Sequence, residues 1–296
     1  MNNDISSYKK NVNSQNGEDG IVEELLSRLQ HAGISNDEWC VEFGAWDGIY
    51  LSNTYTLIND KGYKAVLIEG DSKKHEILCK NIPREDVYKI CQFVNFEGDS
   101  TLDRILSSTP IPNNFDFLSI DIDGCDYYIF ESLNDYSPKI ICIEYNSSIP
   151  NEVEYVQEKS FSIKRGSSAK SLINLANQKN YSLIAVTACN LFFVHNDLIH
   201  HVLTNLPTLE NLRDDSGTKV FLFPGYDGTI LSNKKYVDLN WHGVHQNISD
   251  IQYLPRQLRI FYTDYSQPQR LMFFLWILFR HPTIFLEKLR AKFKLF

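Results

Sequence analysis

The sequence predicts a doubly wound α/β fold around a mostly parallel central sheet, and three observations carry the prediction. Short apolar runs repeatedly carry an acid at or next to their ends: Val41-Glu-Phe43, Ala65-Val-Leu-Ile-Glu69, Leu118-Ser-Ile-Asp121 and Ile140-Ile-Cys-Ile-Glu144. Runs such as Ile140 to Ile143 lack polar alternation, which fits central strands covered by helices on both faces. The first run leads into Gly44 and Gly48, where the backbone can adopt conformations or close approaches that a Cβ would block.

The elements follow in order. Gly17 to Gln30 reads as an amphipathic helix, with Ile21, Leu25 and Leu29 on one face and Glu23, Glu24 and Arg28 on the other. A strand ends at Phe43, and a helix over Ser52 to Asp60 follows the glycine turn. The strand ending at Glu69 precedes a helix over Lys73 to Lys80. Cys91 to Asn95 is the candidate third strand, followed by a helix over Ser100 to Ser107. Pro110 to Asn114 breaks the chain before the fourth strand. After the fifth, Ser147 to Gly166 is a polar loop of a length that favours a lid or a wall of a site. Ala169 to Lys179 resumes as helix, and Tyr181 to Val186 with Leu191 to Val194 forms an antiparallel pair closing the sheet. Tyr226-Asp-Gly-Thr229 is a hairpin turn signal. The organisation expected is a domain over 1–200, an accessory region over 201–268 and a basic amphipathic end over 269–296.

In a sheet of this kind, carboxyl ends of neighbouring strands share one crevice, so Glu42, Glu69, Asp121, Asp123 and Glu144 should converge. Glu69 stands about 20 residues beyond the glycine turn, where the dinucleotide pattern puts an acid on the ribose hydroxyls. The turn has only two glycines, which disfavours a pyrophosphate cradle. A nucleoside without a diphosphate suits it better, with S-adenosylmethionine the common one.

Five motifs, Ser14-Gln-Asn-Gly-Glu-Asp-Gly20, Val41-Glu-Phe-Gly-Ala-Trp-Asp-Gly48, Leu67-Ile-Glu69, Asp121-Ile-Asp-Gly-Cys-Asp126 and Ile143-Glu-Tyr-Asn146, resemble the FkbM-type methyltransferase-like proteins of the S-adenosylmethionine-dependent Rossmann-like class. Arg165-Gly-Ser-Ser168, Asn190-Leu-Phe-Phe-Val194 and Tyr226-Asp-Gly-Thr229 extend the resemblance to a subgroup. The more usual family form has Asp at Glu42 and Glu at Asp126. The resemblance implies a class I methyltransferase fold with an antiparallel closing strand, S-adenosylmethionine as cofactor and methyl transfer as activity.

On that reading Glu42, Gly44, Ala45 and Gly48 line the methionine end of the cofactor, and Glu69 holds its ribose. Asp71 stands beside it, although an acid after a strand also suits a helix N-terminus. Asn95 and Phe96 flank adenine, Gln15 and Glu18 close over the cofactor from the N-terminal side, and Asp121 borders it. Asp121, Asp123, Glu144 and Asn146 form the reactive constellation, either as a general base for an acceptor hydroxyl or as ligands of Mg²⁺. Asp126 is read as a helix cap beside Gly124. Arg165, Ser167 and Lys170 are anion or hydroxyl contacts in the acceptor pocket.

The chain has 296 residues, 43% of them hydrophobic, enough for a large core and a satellite. Its net charge of −8 argues against nucleic acid as a partner. Six scattered cysteines without a C-x-x-C pair read as free thiols. The opening Met1-Asn-Asn-Asp-Ile-Ser lacks the apolar region of a secretory signal, which points to the cytoplasm. From Arg270 onward there are six Lys and Arg and one acid, so this segment carries about +5 and the rest about −13. The run Leu271 to Phe279 is too short to span a bilayer. It is either an in-plane anchor on an anionic membrane surface, at the inner face of the plasma membrane, or a helix packed on the core or on a second subunit of a homo-oligomer. The function expected is O-methylation of a glycan or sugar, such as a cell-surface polysaccharide or lipid-linked sugar. A small secondary-metabolite hydroxyl is the alternative acceptor, and a non-catalytic binding module the alternative class.

Overall fold

A computed structural model describes residues 4–293. The chain forms two compact units, Met1–Thr218 and Lys219–Phe296. The first carries a seven-stranded sheet built from β1 (Trp39–Phe43), β2 (Lys64–Ile68), β3 (Val87–Ile90), β4 (Phe117–Ile120), β5 (Ile140–Glu144), β6 (Tyr181–Val186) and β7 (Asn190–His195). The spatial order is β3-β2-β1-β4-β5-β7-β6. All pairs from β3 to β5 are parallel, and β7 runs antiparallel to both neighbours. This is a mostly parallel, doubly wound Rossmann-like sheet with β7 reversed against both of its neighbours.

Alternation along each strand divides the core between the two faces. Val41, Phe43, Ile68, Leu118, Ile120 and Ile143 lie in one buried cluster; Cys40, Leu67, Phe117, Ile140, Cys142 and Phe192 lie in the other. Each fully buried Leu, Ile or Phe contributes roughly 1.5–3 kcal/mol through apolar area removed from water. Helices α1 (Glu18–His31), α2 (Tyr55–Asp60), α3 (Ser72–Asn81), α4 (Leu102–Leu106), α5 (Asp126–Ser132) and α6 (Ala169–Gln178) connect or cover the strands. All six cysteines are free.

Two boundaries differ from expectation for physical reasons. The helix after the glycine turn starts at Tyr55 rather than Ser52, because Ser52, Asn53 and Thr54 all donate to Glu42. The third strand is Val87–Ile90 rather than Cys91 to Asn95. It is an edge strand pairing only with β2, and its outward Tyr88 and Lys89 hide the strand pattern. The first unit also continues past residue 200 through two short helices, α7 (Ile199–Val202) and α8 (Leu209–Leu212). There Arg213 donates to the main-chain oxygens of Ser147 and Ile149, and Asp215 accepts from the Asn151 N–H.

In the second unit β8 (Leu222–Pro224) and β9 (Ile230–Ser232) form a hairpin around the Tyr226-Asp-Gly-Thr229 turn, where Asp227 accepts from the N–H and hydroxyl of Thr229. A second hairpin joins β10 (Tyr236–Leu239) to β11 (Val244–Asn247), and α9 (Gln267–Arg280) and α10 (Pro282–Phe293) end the unit. Met1 to Asn3 of the polar opening, and Lys294 and Phe296 of the basic end, lie outside the described residues. Among the described residues no helix is long and apolar enough to cross a membrane.

Candidate functional site

The crevice is set by the ends of β1 and β4. Gly44 leaves β1 with φ +75°, and a Cβ there would stand 2.3 Å from the main-chain oxygen of Asp121. Gly48, with φ +78°, similarly fits beneath the Leu78 methyl. Ala45 between them is buried and donates its N–H to the Ile68 oxygen (3.2 Å). Only glycine tolerates both the left-handed conformation and the backbone approach at position 44.

Glu69 stands at the end of β2, buried, and accepts from the Trp46 N–H (2.9 Å, Oε2) and the Asp71 N–H (2.7 Å, Oε1). A carboxylate oxygen can accept two hydrogen bonds, so each Glu69 oxygen keeps one acceptor position for a ligand hydroxyl. The ring of Phe93, largely exposed, lies on Gly70: a Cβ there would come within 2.2 Å of the ring. Trp46 is exposed and strained at φ +47°, with Lys74 4.9 Å over its ring.

The turn after β4 carries the acids. Asp126 opens α5 and reaches back to accept from the N–H groups of Ile122 (2.9 Å) and Gly124 (2.8 Å). This fixes the turn with Asp123 at φ +57°. Burial, opposed by those two bonds, pushes the Asp126 carboxyl up to about 6. One oxygen from each of Asp121, Asp123 and Glu144 lies within 4.8 Å of the others. Burial, then the charges of Asp121, Asp126 and Asp123, raises Glu144 above the usual carboxylate range. Loss of surrounding water, then the charges of Asp126, Asp123 and Glu42, raises Asp121. Because Asp121 keeps water access at the crevice mouth, the like charges are the firmer cause. Glu144 is raised in part by the charge of Asp121, so the two carboxyls lose their protons as a pair rather than independently.

Other candidates are engaged elsewhere. Glu42 is buried and accepts from Ser52 Oγ (2.6 Å), Thr54 Oγ1 (2.7 Å) and the Asn53 N–H (2.8 Å), so it holds the approach to α2. Glu18 accepts from the Asn16 N–H, Thr187 and Asn190, tying α1 to the β6–β7 turn. Gln15 is exposed on the preceding loop. Asp71 caps α3, accepting from the N–H groups of Lys73 and Lys74. The side-chain oxygen of Asn95 accepts from the Phe96 N–H, and the Phe96 ring stacks on Phe161 at 5.0 Å.

Asn146 is also spent locally, donating to the Arg165 oxygen and accepting from the Ser148 N–H and hydroxyl, which removes it from the ligand set of the three acids. The loop Ser147 to Gly166 is tied down by its own hydrogen bonds and borders the acids. Buried Gln157 accepts from the N–H groups of Arg165 and Gly166 and donates to the Ile163 oxygen, and Lys164 Nζ stands 3.6 Å from Asp123. Arg165 pairs with Glu158 on the same loop. Lys170 lines a different cavity, of about 460 Å³ and bordered by Asn177, Leu183 and Leu209, which none of the acids reaches. Ser167 alone of those three offers a buried hydroxyl without a hydrogen-bond partner. Phe93 and Trp46 were not singled out from sequence; the small Gly70 directly after a strand end was the available sign of a ring lying against the backbone.

No protein-family model matches the chain, and no curated protein does. Among solved structures it is similar to a putative RNA methyltransferase from Pyrococcus horikoshii, at 10% identity, covering 60% of this chain and 83% of that one with a TM-score of 0.35. It is similar to a SAM-dependent methyltransferase from Aquifex aeolicus, at 11% identity over 57% of this chain and 87% of that one, TM-score 0.34. A third is M. capricolum TrmK in complex with S-adenosyl-homocysteine, at 20% identity over 57% of this chain and 66% of that one, TM-score 0.32. At such identities the site is read from this chain's own geometry.

Proposed function

We infer that this chain is an S-adenosylmethionine-dependent O-methyltransferase acting on a hydroxyl of a glycan or sugar. The observation that carries the reading is the convergence of Gly44, Glu69 and the Asp121–Glu144 pair at one carboxyl edge of the sheet. The residues fit the cofactor: a bare backbone at Gly44 for close approach, free acceptor positions on Glu69 for ribose hydroxyls, and the Phe93 ring for adenine. Bound there, S-adenosylmethionine supplies an electrophilic methyl group on its sulfonium.

The chain's own part is to hold and deprotonate the acceptor. A hydroxyl placed near the three acids gives its proton to the carboxylate of Asp121 or Glu144 as its oxygen takes the methyl group, and the thioether leaves as a neutral product. Asp121, Asp123 and Glu144 would also hold Mg²⁺, an oxygen-binding cation that offsets their mutual repulsion and lowers the pKa of a coordinated hydroxyl. The glycan assignment is supported by the resemblance to FkbM-type proteins and by the partly exposed aromatic side chains of Trp46 and Phe161.

The test is calorimetric titration with S-adenosylmethionine, followed by radiolabelled methyl transfer into an isolated glycan fraction. Binding with label in the glycan is expected. Binding with label only in small phenols or alcohols moves the acceptor to secondary metabolites. Absent binding overturns the enzyme reading and leaves a non-catalytic module.

A further inference from the structure

We propose that the outer face of α9 and α10 is a docking surface for an anionic lipid bilayer. The inner side of α9 is already used: Phe273 and Trp276 pack on Tyr253, Tyr262 and Tyr265, and Ile277 is buried. On the opposite side Leu271, Leu275 and Phe279 recur every four residues as an exposed stripe, with Leu271 60% and Phe279 79% exposed. Phe274 packs edge-on against Phe285 at 4.8 Å, joining the two helices, and α10 adds exposed Ile284 and Leu286. A helix with one packed side normally turns polar residues to water; this one turns leucine and phenylalanine.

Charge selects the occupant. Arg270, Arg280 and Arg290 are exposed on the same two helices. The sequence adds Lys288, Lys292 and Lys294, with Glu287 the single acid, for about +5 over the segment. A second copy seated on this face would set two such segments against each other. An anionic bilayer matches both the cations and the apolar stripe. With 14 residues α9 is about 21 Å long, short of the roughly 30 Å hydrocarbon core, so the helices lie in the membrane plane.

The experiment is flotation of the full chain with phosphatidylcholine vesicles, with and without about 30% phosphatidylserine. Expected is at least about tenfold more bound protein on the anionic vesicles, lost in about 1 M salt. Phe279→Asp and the exposed-charge pair Arg280→Glu/Arg290→Glu should each reduce binding about tenfold. Unchanged far-ultraviolet circular dichroism separates lost docking from lost folding. Equal binding to both vesicle types, or binding to neither, overturns the proposal. So does a concentration-dependent dimer that Phe279→Asp dissolves in a chain that ignores vesicles.

Discussion

Gly44 at the end of β1 and Asp121 at the end of β4 meet backbone to backbone: a side-chain carbon on the glycine would sit 2.3 Å from the Asp121 oxygen. The contact brings the glycine turn and the acidic turn together, so it sets the width of the crevice. Gly44→Ala forces a left-handed conformation and pushes two strand ends apart, at an expected cost of about 2–4 kcal/mol. Chemical denaturation should show that loss, and calorimetry the loss of S-adenosylmethionine binding. A variant with unchanged stability and affinity would contradict the role of this contact.

The Asp121–Glu144 pair gives the stability an unusual pH slope. Both carboxyls hold their proton more tightly folded than unfolded. Their contribution is therefore fully present below the unfolded carboxylate range, near pH 4, and is lost as pH rises through the raised folded values. Melting temperature should fall between about pH 5 and pH 9, and Asp121→Asn should flatten that fall. Methyl transfer should rise over the same range as the two carboxyls lose their protons. Millimolar Mg²⁺ should restore the melting temperature of the parent at high pH and do so less well in Asp123→Asn. A pH-independent melting curve, the same with and without the cation, would rule out the coupled pair.

Phe93 lies on Gly70 at the end of β2 with its ring turned to solvent. If that ring is the adenine wall, Phe93→Ala should weaken S-adenosylmethionine binding about tenfold, in line with one lost stacking contact of roughly 1–1.5 kcal/mol. Gly70→Ala should weaken binding too, by displacing the same ring. Melting temperature should barely move for Phe93→Ala, because the side chain is not part of the core. Equal affinity in the two variants and the parent would remove Phe93 from the site.

The strand ends were legible because an apolar run ending in an acid has a consistent meaning in a parallel sheet: Glu69, Asp121 and Glu144 stand where the pattern puts them. The state of each carboxylate was not legible. Glu42 looked like a ligand and is consumed by Ser52, Asn53 and Thr54. Glu18 is consumed by Thr187 and Asn190, partners 169 and 172 residues away. Edge strand β3 hid behind Tyr88 and Lys89 for a related reason: exposure on one side, which only the assembled sheet defines, makes polar residues acceptable in a strand.

Asp19 gives the sharpest contrast between a site motif and a structural one. It belongs to Ser14-Gln-Asn-Gly-Glu-Asp-Gly20, yet its carboxylate accepts from the N–H groups of Val12, Asn13 and Ser14, from the Ser14 hydroxyl and from Thr56. Burial works against the charge, but these bonds prevail and hold Asp19 below the usual carboxylate range. Asp19→Ala leaves several inward donors unpaired, so a loss of about 3 kcal/mol is expected. Because the folded value is depressed, the stabilisation is present above the unfolded carboxylate range and disappears as pH falls through the folded value. The parent and Asp19→Ala should therefore differ most at neutral pH and converge in acid. Below its melting temperature the variant should still bind S-adenosylmethionine as the parent does; a folded variant that has lost binding would move this motif from the scaffold to the cofactor site.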